Sequence, residues 1–403
     1  MALMPVADAL SAVLAGAEPL SEEMIALDAA YHRVLARDVA ALRTQPPLAM
    51  SAMDGYAVRS ADARHAAARL KVIGEVAAGR PFERPVGVGE AVRIFTGGVI
   101  PDAADAVIIQ EDTVVEGGDI TITEAAIPGR HIRPAGVDFR KGDILLKRGT
   151  RLTDRDLSLA ASMNYPELEV RRRPKVALLA TGDELVMPGS TPGPGQIVYS
   201  NGYGLRALAR GEGAETIDLG IAADTVEATT RGIRSARDSG ADILITTGGA
   251  SVGDHDLVKQ SLEAEGVAMA FWRIAMRPGK PMMHGRLGGM RVIGLPGNPV
   301  SAYVCGFLFL VPLIRALSGR ADIHHVSETA LLGRPVAAND MREDYLRARL
   351  EVRSDGVLVA TMVNHQDSSL LGNLAAAQAL VIRAPFAPAA AAGSPCSFLR
   401  LPG

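Results

Sequence analysis

Four glycine-rich loops in the second half of the chain carry side chains suited to anion and metal chemistry. They are Thr181-Gly182-Asp183-Glu184, the run 248–256 (GGASVGDHD), Arg277-Pro278-Gly279-Lys280-Pro281 and Pro296-Gly297-Asn298-Pro299-Val300-Ser301. Glycines let backbone N–H groups approach an anion closely, and a helix N-terminus adds partial positive charge. Gly248, Gly249 and Ser251 precede one expected helix, and Asn298, Pro299 and Ser301 open another. Arg277 and Lys280 would neutralise a bound oxyanion. Glu184, Asp224, Asp254 and Asp256 offer hard oxygen ligands of the kind Mg²⁺ takes. Carboxylates beside phosphate-binding loops make sense with a divalent cation between them, because the like charges otherwise repel.

Taken singly, each feature is ordinary. Thr-Gly-Asp-Glu is a common strand-to-helix turn, Asp224 suits the cap of a helix over 226–239, and Asp256 suits the cap of one over 257–265. Their arrangement is more telling. Each loop follows an apolar run that reads as a strand, at 175–180, 242–247, 268–276 and 291–295. Helices are expected at 204–210, 226–239, 257–265 and 301–317. Strands alternating with helices imply a parallel sheet covered on both faces. Ligands of such a sheet bind at the carboxyl ends of its strands, where all four loops would lie.

The rest of the chain must position this edge. With 403 residues it is long enough for two or three domains. Residues 5–39 read as helical, broken at Pro19, with Glu22 and Glu23 suited to a helix N-terminus. Residues 48–139 turn β-rich, including a hairpin signal, 113–115 and 120–123 around Gly117-Gly118. A helix returns at 154–163. Arg171-Arg172-Arg173 reads as a solvated boundary. Residues 325–403 are β-rich again, with Leu346, Ala348, Leu350 and Val352 alternating against Arg347, Arg349, Glu351 and Arg353. This spacing puts Arg347 on the solvent face. In Ser51-Ala52-Met53-Asp54-Gly55-Tyr56-Ala57 the Asp-Gly step is ordinary turn chemistry. Phe95-Thr96-Gly97-Gly98 and Gly136-Val137-Asp138 read the same way.

Composition excludes several classes. Net charge is -3, and 48% hydrophobic with 22% charged residues is a globular balance. A pI near 6.3 argues against a nucleic-acid binder. Cys305 and Cys396 build neither a disulfide framework nor a zinc site, which fits a reducing, cytoplasmic setting. No signal peptide is expected. The apolar run 300–314 is shorter than the roughly 20 residues of a membrane span and reads as a core helix. His324, His325 and His365 read as surface residues.

Six segments, in order and at approximately the same spacing, resemble the MoeA family, which includes the gephyrin E domain. They are SAMDGYAVR (51–59), IFTGG (94–98), TGDEL (181–185), TGGASVGDHD (247–256), PGKP (278–281) and LPGNPVS (295–301). The resemblance spans nearly the whole chain. It implies a multidomain α/β plus β protein with four domains. These are a discontinuous N-terminal helical or mixed domain (1–47 with 140–173), an inserted small β domain (48–139), a MogA-like three-layer α/β molybdopterin-binding domain (174–320) and a C-terminal small β-barrel (321–403). It implies a homodimer with the active site between subunits, and passing contact with the adenylyltransferase of the preceding step. The implied reaction takes adenylyl-molybdopterin and molybdate to molybdenum cofactor and AMP, with Mg²⁺.

Carried residue by residue, Asp54, Thr96, Asp138 and Glu184 would serve the chemistry. Glu184, Asp224, Asp254 and Asp256 would hold the metal. Thr181, Gly182, Asp183, Gly248, Gly249, Ser251, Pro296, Asn298 and Pro299 would bind substrate. Arg277, Lys280, Ser301, Arg347 and Ser368 would bind molybdate or a nearby phosphate. Two departures stand out: Arg277 replaces a lysine common in relatives, and no glycine follows Arg347. Competing readings are adenylylation of the pterin, a non-catalytic scaffold or pterin carrier, and tungsten insertion.

Overall fold

The computed structural model describes residues 3–76, 79–248 and 257–403, with the side chains of 269–272 left aside. Its centre is a six-stranded sheet. The strands are β1 (Lys175–Thr181), β2 (Glu215–Ala222), β3 (Ile243–Thr247), β4 (Ala268–Arg273), β5 (Pro281–Leu287) and β6 (Met290–Leu295), in the order β2-β1-β3-β6-β5-β4. β1, β2, β3 and β6 run parallel. β5 is antiparallel to both β6 and β4. The sheet is therefore mixed, where the alternation of elements predicts a parallel one. β5 escapes sequence reading because it is buried on both faces and shows no period of two.

Side-chain alternation in β1 builds the layers. Val176 and Leu178 join a core with Leu205 and Leu208 of helix α2 (Asn201–Gly211) and the long helix α5 (Pro299–Leu317). Ala177 and Leu179 join the opposite core, with Ile233 of α3 (Val226–Asp238) and Leu262 of α4 (Leu257–Ala264). α5 is 89% buried, so its apolar length belongs to the interior of the protein. It widens into a π-type turn at Gly306–Leu310, just before Pro312. The widening accommodates a ring that has no N–H and would crowd the carbonyl four residues back.

The N-terminal region differs from the helical reading. Helix α1 covers only Val6–Leu14 and packs its Ala9 and Val13 on the α5 side of the sheet. Glu22–Ala26 is a strand, antiparallel to Glu167–Arg171. Glu22 pairs with Arg171 at 2.9 Å and Glu23 with Arg33, so tertiary ion pairs override their preference for a helix start. The arginine triplet is no solvated boundary. Arg172 grips Asp242 with two bonds of 2.9 and 2.8 Å, and Arg173 donates to the Gly213 carbonyl at 3.0 Å. Residues from 25–41 and 139–170 share one core around Leu35, Phe139 and Leu168.

Segment 55–122 forms its own six-stranded sheet, with Gly55–Val58 between Glu90–Ile94 and Ala106–Ile109. The hairpin Thr113–Glu116/Asp119–Ile122 turns on Gly117 and Gly118, both at positive φ. Gly55 is not a turn residue. It opens a central strand where a Cβ would stand 1.9 Å from the Ile108 carbonyl oxygen. Backbone cannot yield as a side-chain end can. We expect Gly55→Ala to destabilise this domain by about 3 kcal/mol, measured as a lowered denaturant midpoint. An unchanged midpoint would mean the strands separate freely.

The C-terminal strands β7 (Ser327–Leu332), β8 (Glu343–Val352), β9 (Leu358–Met362), β10 (Ala379–Arg383) and β11 (Pro395–Arg400) form a closed barrel. The order β8-β9-β7-β11-β10 returns to β8. Met276–Arg277, after β4, pairs in parallel with Glu343–Asp344 and ties the barrel to the loops of the central sheet.

Candidate active site

The carboxyl ends of β1, β3 and β6 and the loop after β4 meet at one cavity of about 1080 Å³. Thr181, Glu184, Gly248, Arg277, Lys280, Pro296, Asn298, Pro299 and Ser301 line it, and the barrel contributes Gln366, Ser368 and Ser369. The parallel-edge argument thus places three of the loops and Gly248, the first residue of the fourth, together even though the sheet is mixed, because β4 still runs parallel to β6. Gly249, Ser251, Asp254 and Asp256 lie outside the described residues.

Close packing explains the glycines. Gly248 has φ +90°, and a Cβ there would come within 2.3 Å of the Thr181 carbonyl oxygen. Gly279 has φ +113° and lies over the Cys305 sulfur, 2.4 Å from where its Cβ would be. At both positions the backbone itself lies against its neighbour, an approach that only glycine permits. The Pro296–Ser301 loop is strapped from outside. Val300 N–H donates to the Ser368 carbonyl at 3.0 Å, and Asn298 Nδ2 to Ser368 Oγ at 3.0 Å. Ser368 is thereby placed in the cavity wall by residues of α5's start. Asn201 Nδ2 holds the Gly297 carbonyl at 2.7 Å. Asn201, Tyr199 and Gln366 line the cavity and escape sequence reading. Asn201 left only a faint signal, a polar residue just ahead of a helical run.

The carboxylates divide. Glu184 faces the cavity. Asp224 instead faces the turn beside it: Asp183 N–H donates to Asp224 Oδ2 at 3.3 Å, and Asp224 N–H to Asp183 Oδ1 at 3.0 Å. Asp224 is not the cap of α3, since Thr225 takes that position and accepts from Ala228 N–H at 3.2 Å. Among the described residues no group of three or more His, Cys, Asp or Glu is placed to hold a metal.

The two arginines behave in opposite ways. Arg277, exposed to the cavity, is already ion-paired. Its Nε donates to Asp344 Oδ1 at 2.8 Å, its Nη2 to Asp344 Oδ2, and Asp340 lies 3.6 Å from Nη1. That hydrogen-bonded pairing raises its already high pKa. Arg347, read from its spacing as solvated, is completely buried. Its Nη2 makes one long contact of 3.4 Å to the His365 carbonyl, and its Nε and Nη1 have no partner among the described residues. Burial lowers its pKa. The alternation fails because the 363–369 loop folds over the outer face of β8. Gln366 accepts from Arg347 N–H and donates to its carbonyl, both at 3.0 Å. Another surface reading fails at His325, whose ring stacks on Phe307 at 3.9 Å and whose burial lowers its pKa to about 4.

Asp54 and Thr96 come together away from this cavity. Asp54 Oδ1 accepts from Thr96 N–H at 2.7 Å and from Thr96 Oγ1 at 2.8 Å, which lowers its pKa. Asp138 is exposed, its N–H held by the Gln45 carbonyl at 3.1 Å. Among the described residues, none from 48–139 lines the cavity of its own chain.

This architecture matches known proteins along its length. Family models described as "MoeA N-terminal region (domain I and II)", "Probable molybdopterin binding domain" and "MoeA C-terminal region (domain IV)" match residues 4–164, 177–316 and 329–401. The molybdopterin molybdenumtransferase of Haemophilus influenzae is 39% identical over 87% of this chain and 87% of its own. The chain belongs to this family of transferases. The Bacillus subtilis molybdopterin molybdenumtransferase is 34% identical over 94% of this chain and 90% of its own. A crystal structure of a molybdopterin biosynthesis MoeA protein from Pyrococcus horikoshii superposes with a TM-score of 0.84 at 32% identity, covering both chains completely. Within the family frame, the cavity joins the molybdopterin-binding α/β layer to the C-terminal barrel.

Proposed function

We propose that this enzyme of molybdenum cofactor biosynthesis takes adenylyl-molybdopterin and molybdate to molybdenum cofactor and AMP in the cavity described above. One observation carries the reading. The phosphate-type loops and Lys280 face the same space as Ser368, and Gln366 in its wall grips the main chain of the buried Arg347, whose Nε and Nη1 have no partner among the described residues. A guanidinium at such depth, with the Asp367 charge near it but no carboxylate hydrogen-bonded to it, is costly unless an anion joins it. Loop N–H groups and Lys280 would hold substrate phosphates, Ser301 and Ser368 would orient oxygens, and Arg347 would receive the oxyanion. Positioning and preorganised charge then supply most of the rate.

Mg²⁺ fits in donor chemistry. Glu184 brings a hard carboxylate oxygen to the cavity, with Asp183 and Asp224 in the adjoining turn. Asp254 and Asp256 would complete the set. The ion, when bound, would neutralise charge between these carboxylates and the phosphates.

Asp54, Thr96 and Asp138 are not among the described residues that line this cavity, and a homodimer would bring them to the partner's. We place the domains at 1–47 with 140–173, 48–139, 174–320 and 321–403, and the enzyme in the cytoplasm, where free Cys305 and Cys396 stay reduced. Passing contact with the adenylyltransferase would deliver its product.

The test mixes purified protein with adenylyl-molybdopterin, Mg²⁺ and molybdate, following AMP release and bound molybdenum. Glu184→Ala is expected to lower both about 100-fold. Tight pterin binding by the parent protein with no AMP release would leave a carrier on an inherited fold.

A further inference from the structure

We propose that a second cavity, in the barrel beside the main one, binds a small tetrahedral dianion. It measures about 450 Å³ and is walled by Arg277, Arg334 and Arg383. Pockets for small ligands begin at roughly 300 Å³. Arg334 and Arg383 are half-buried. Arg334 donates to Asn364 Oδ1 at 2.9 Å and to the Val363 carbonyl, and Arg383 to the Pro388 carbonyl. These neutral acceptors hold the guanidinium groups in place without cancelling their charge. Among the described residues no carboxylate forms an ion pair with either one. The carboxylate in the wall, Asp344, is taken by Arg277. Asp340, beside Arg277, is itself bonded to Arg342 at 2.7 Å, so the guanidinium groups of Arg334 and Arg383 are left for a dianion to match. Planar N–H forks suit the edges of a tetrahedral oxyanion, and a concave cationic wall concentrates anions near it.

The second cavity adjoins the first. Arg277 and Gln366 line both, and Gln366 is bonded to the main chain of Arg347. A dianion held at Arg334 and Arg383 would wait beside the buried seat that receives it. Free molybdate is the dianion meant. That identity rests on the proposed reaction, and a nucleotide phosphate shares the chemistry.

Equilibrium dialysis of the full chain against molybdate tests the inference, with circular dichroism confirming each fold. The parent should bind two dianions per chain, and Arg334→Gln/Arg383→Gln and Arg347→Met one each. The double variant should also raise the KM for molybdate about tenfold. If the double variant fails to fold, Arg334→Gln alone leaves the Arg383 contacts intact and should weaken one site. Unchanged stoichiometry and affinity in either variant would overturn the site. AMP releasing the dianion retained by Arg347→Met would overturn the assignment to free molybdate and give the cavity to a phosphate. Two dianions bound without metal insertion would sink the transferase reading and leave this cavity standing.

Discussion

Arg347→Met is expected to lower molybdenum insertion about 100-fold and to leave the melting temperature unchanged or raised. The two effects part because the side chain is ill-placed for stability. Arg347 is fully buried, its Nε and Nη1 lack partners among the described residues, and its Nη2 makes a long contact to the His365 carbonyl. Replacing buried charge with an apolar group of similar length is often neutral or stabilising by about 1–4 kcal/mol. The main-chain bonds to Gln366 do not depend on the side chain and should survive. Activity should fall because methionine offers an oxyanion no donor. Paired calorimetry and AMP-release assays check both halves. A variant that melts well below the parent would show that the guanidinium supports the barrel, and one that keeps full activity would remove Arg347 from the site.

Glu212→Gln should cost about 3–5 kcal/mol of stability. Glu212 follows the end of α2 and is nearly buried. Its Oε1 accepts from Arg315 Nη2 at 2.8 Å, and its Oε2 accepts from Arg315 Nε at 2.9 Å and from Arg320 Nη1 at 2.6 Å. Arg151, from the N-terminal region, adds its charge nearby. Removing the carboxylate charge leaves Arg315 and Arg320 buried, with Asp322 paired to Arg320 and, among the described residues, no other carboxylate on Arg315. Burial pushes the Glu212 pKa up, but the Arg315 hydrogen bonds and the charges of Arg315, Arg320 and Arg151 outweigh it and hold the carboxyl below its ordinary value. A pKa lowered in the folded state means the stabilisation is complete above the unfolded value and is lost as pH falls through the folded one. The parent should therefore lose part of its stability in that acid window, and Glu212→Gln should lose less there. Denaturant midpoints from neutral to acid pH measure this. Parallel pH profiles would exclude Glu212 as the titrating group.

The loops of the site are legible in the sequence because their requirements are local. A glycine at positive φ, such as Gly248 or Gly279, and a polar residue after an apolar strand identify themselves within a few positions. The paired glycines 117 and 118 announce their hairpin for the same reason. The residues that sequence reading misplaces answer to distant partners. Glu22 and Glu23 look like a helix start until Arg171 and Arg33 arrive from elsewhere. Arg172 looks solvated until Asp242, 70 positions on, takes its guanidinium. Gly55 looks like a turn until the Ile108 carbonyl closes on it.

The sequence by itself determined the family, the α/β core with its glycine-rich loops after the strands, and the β-rich character of both flanking regions. Periodicity and backbone chemistry act over a few residues and are written there directly. Only the tertiary structure decided that β5 makes the sheet mixed, that Arg277 is spent on Asp344, and that Arg347 is buried under the 363–369 loop. Charge pairing and burial are set by which remote surfaces meet, and no local pattern along β8 records the loop that covers it.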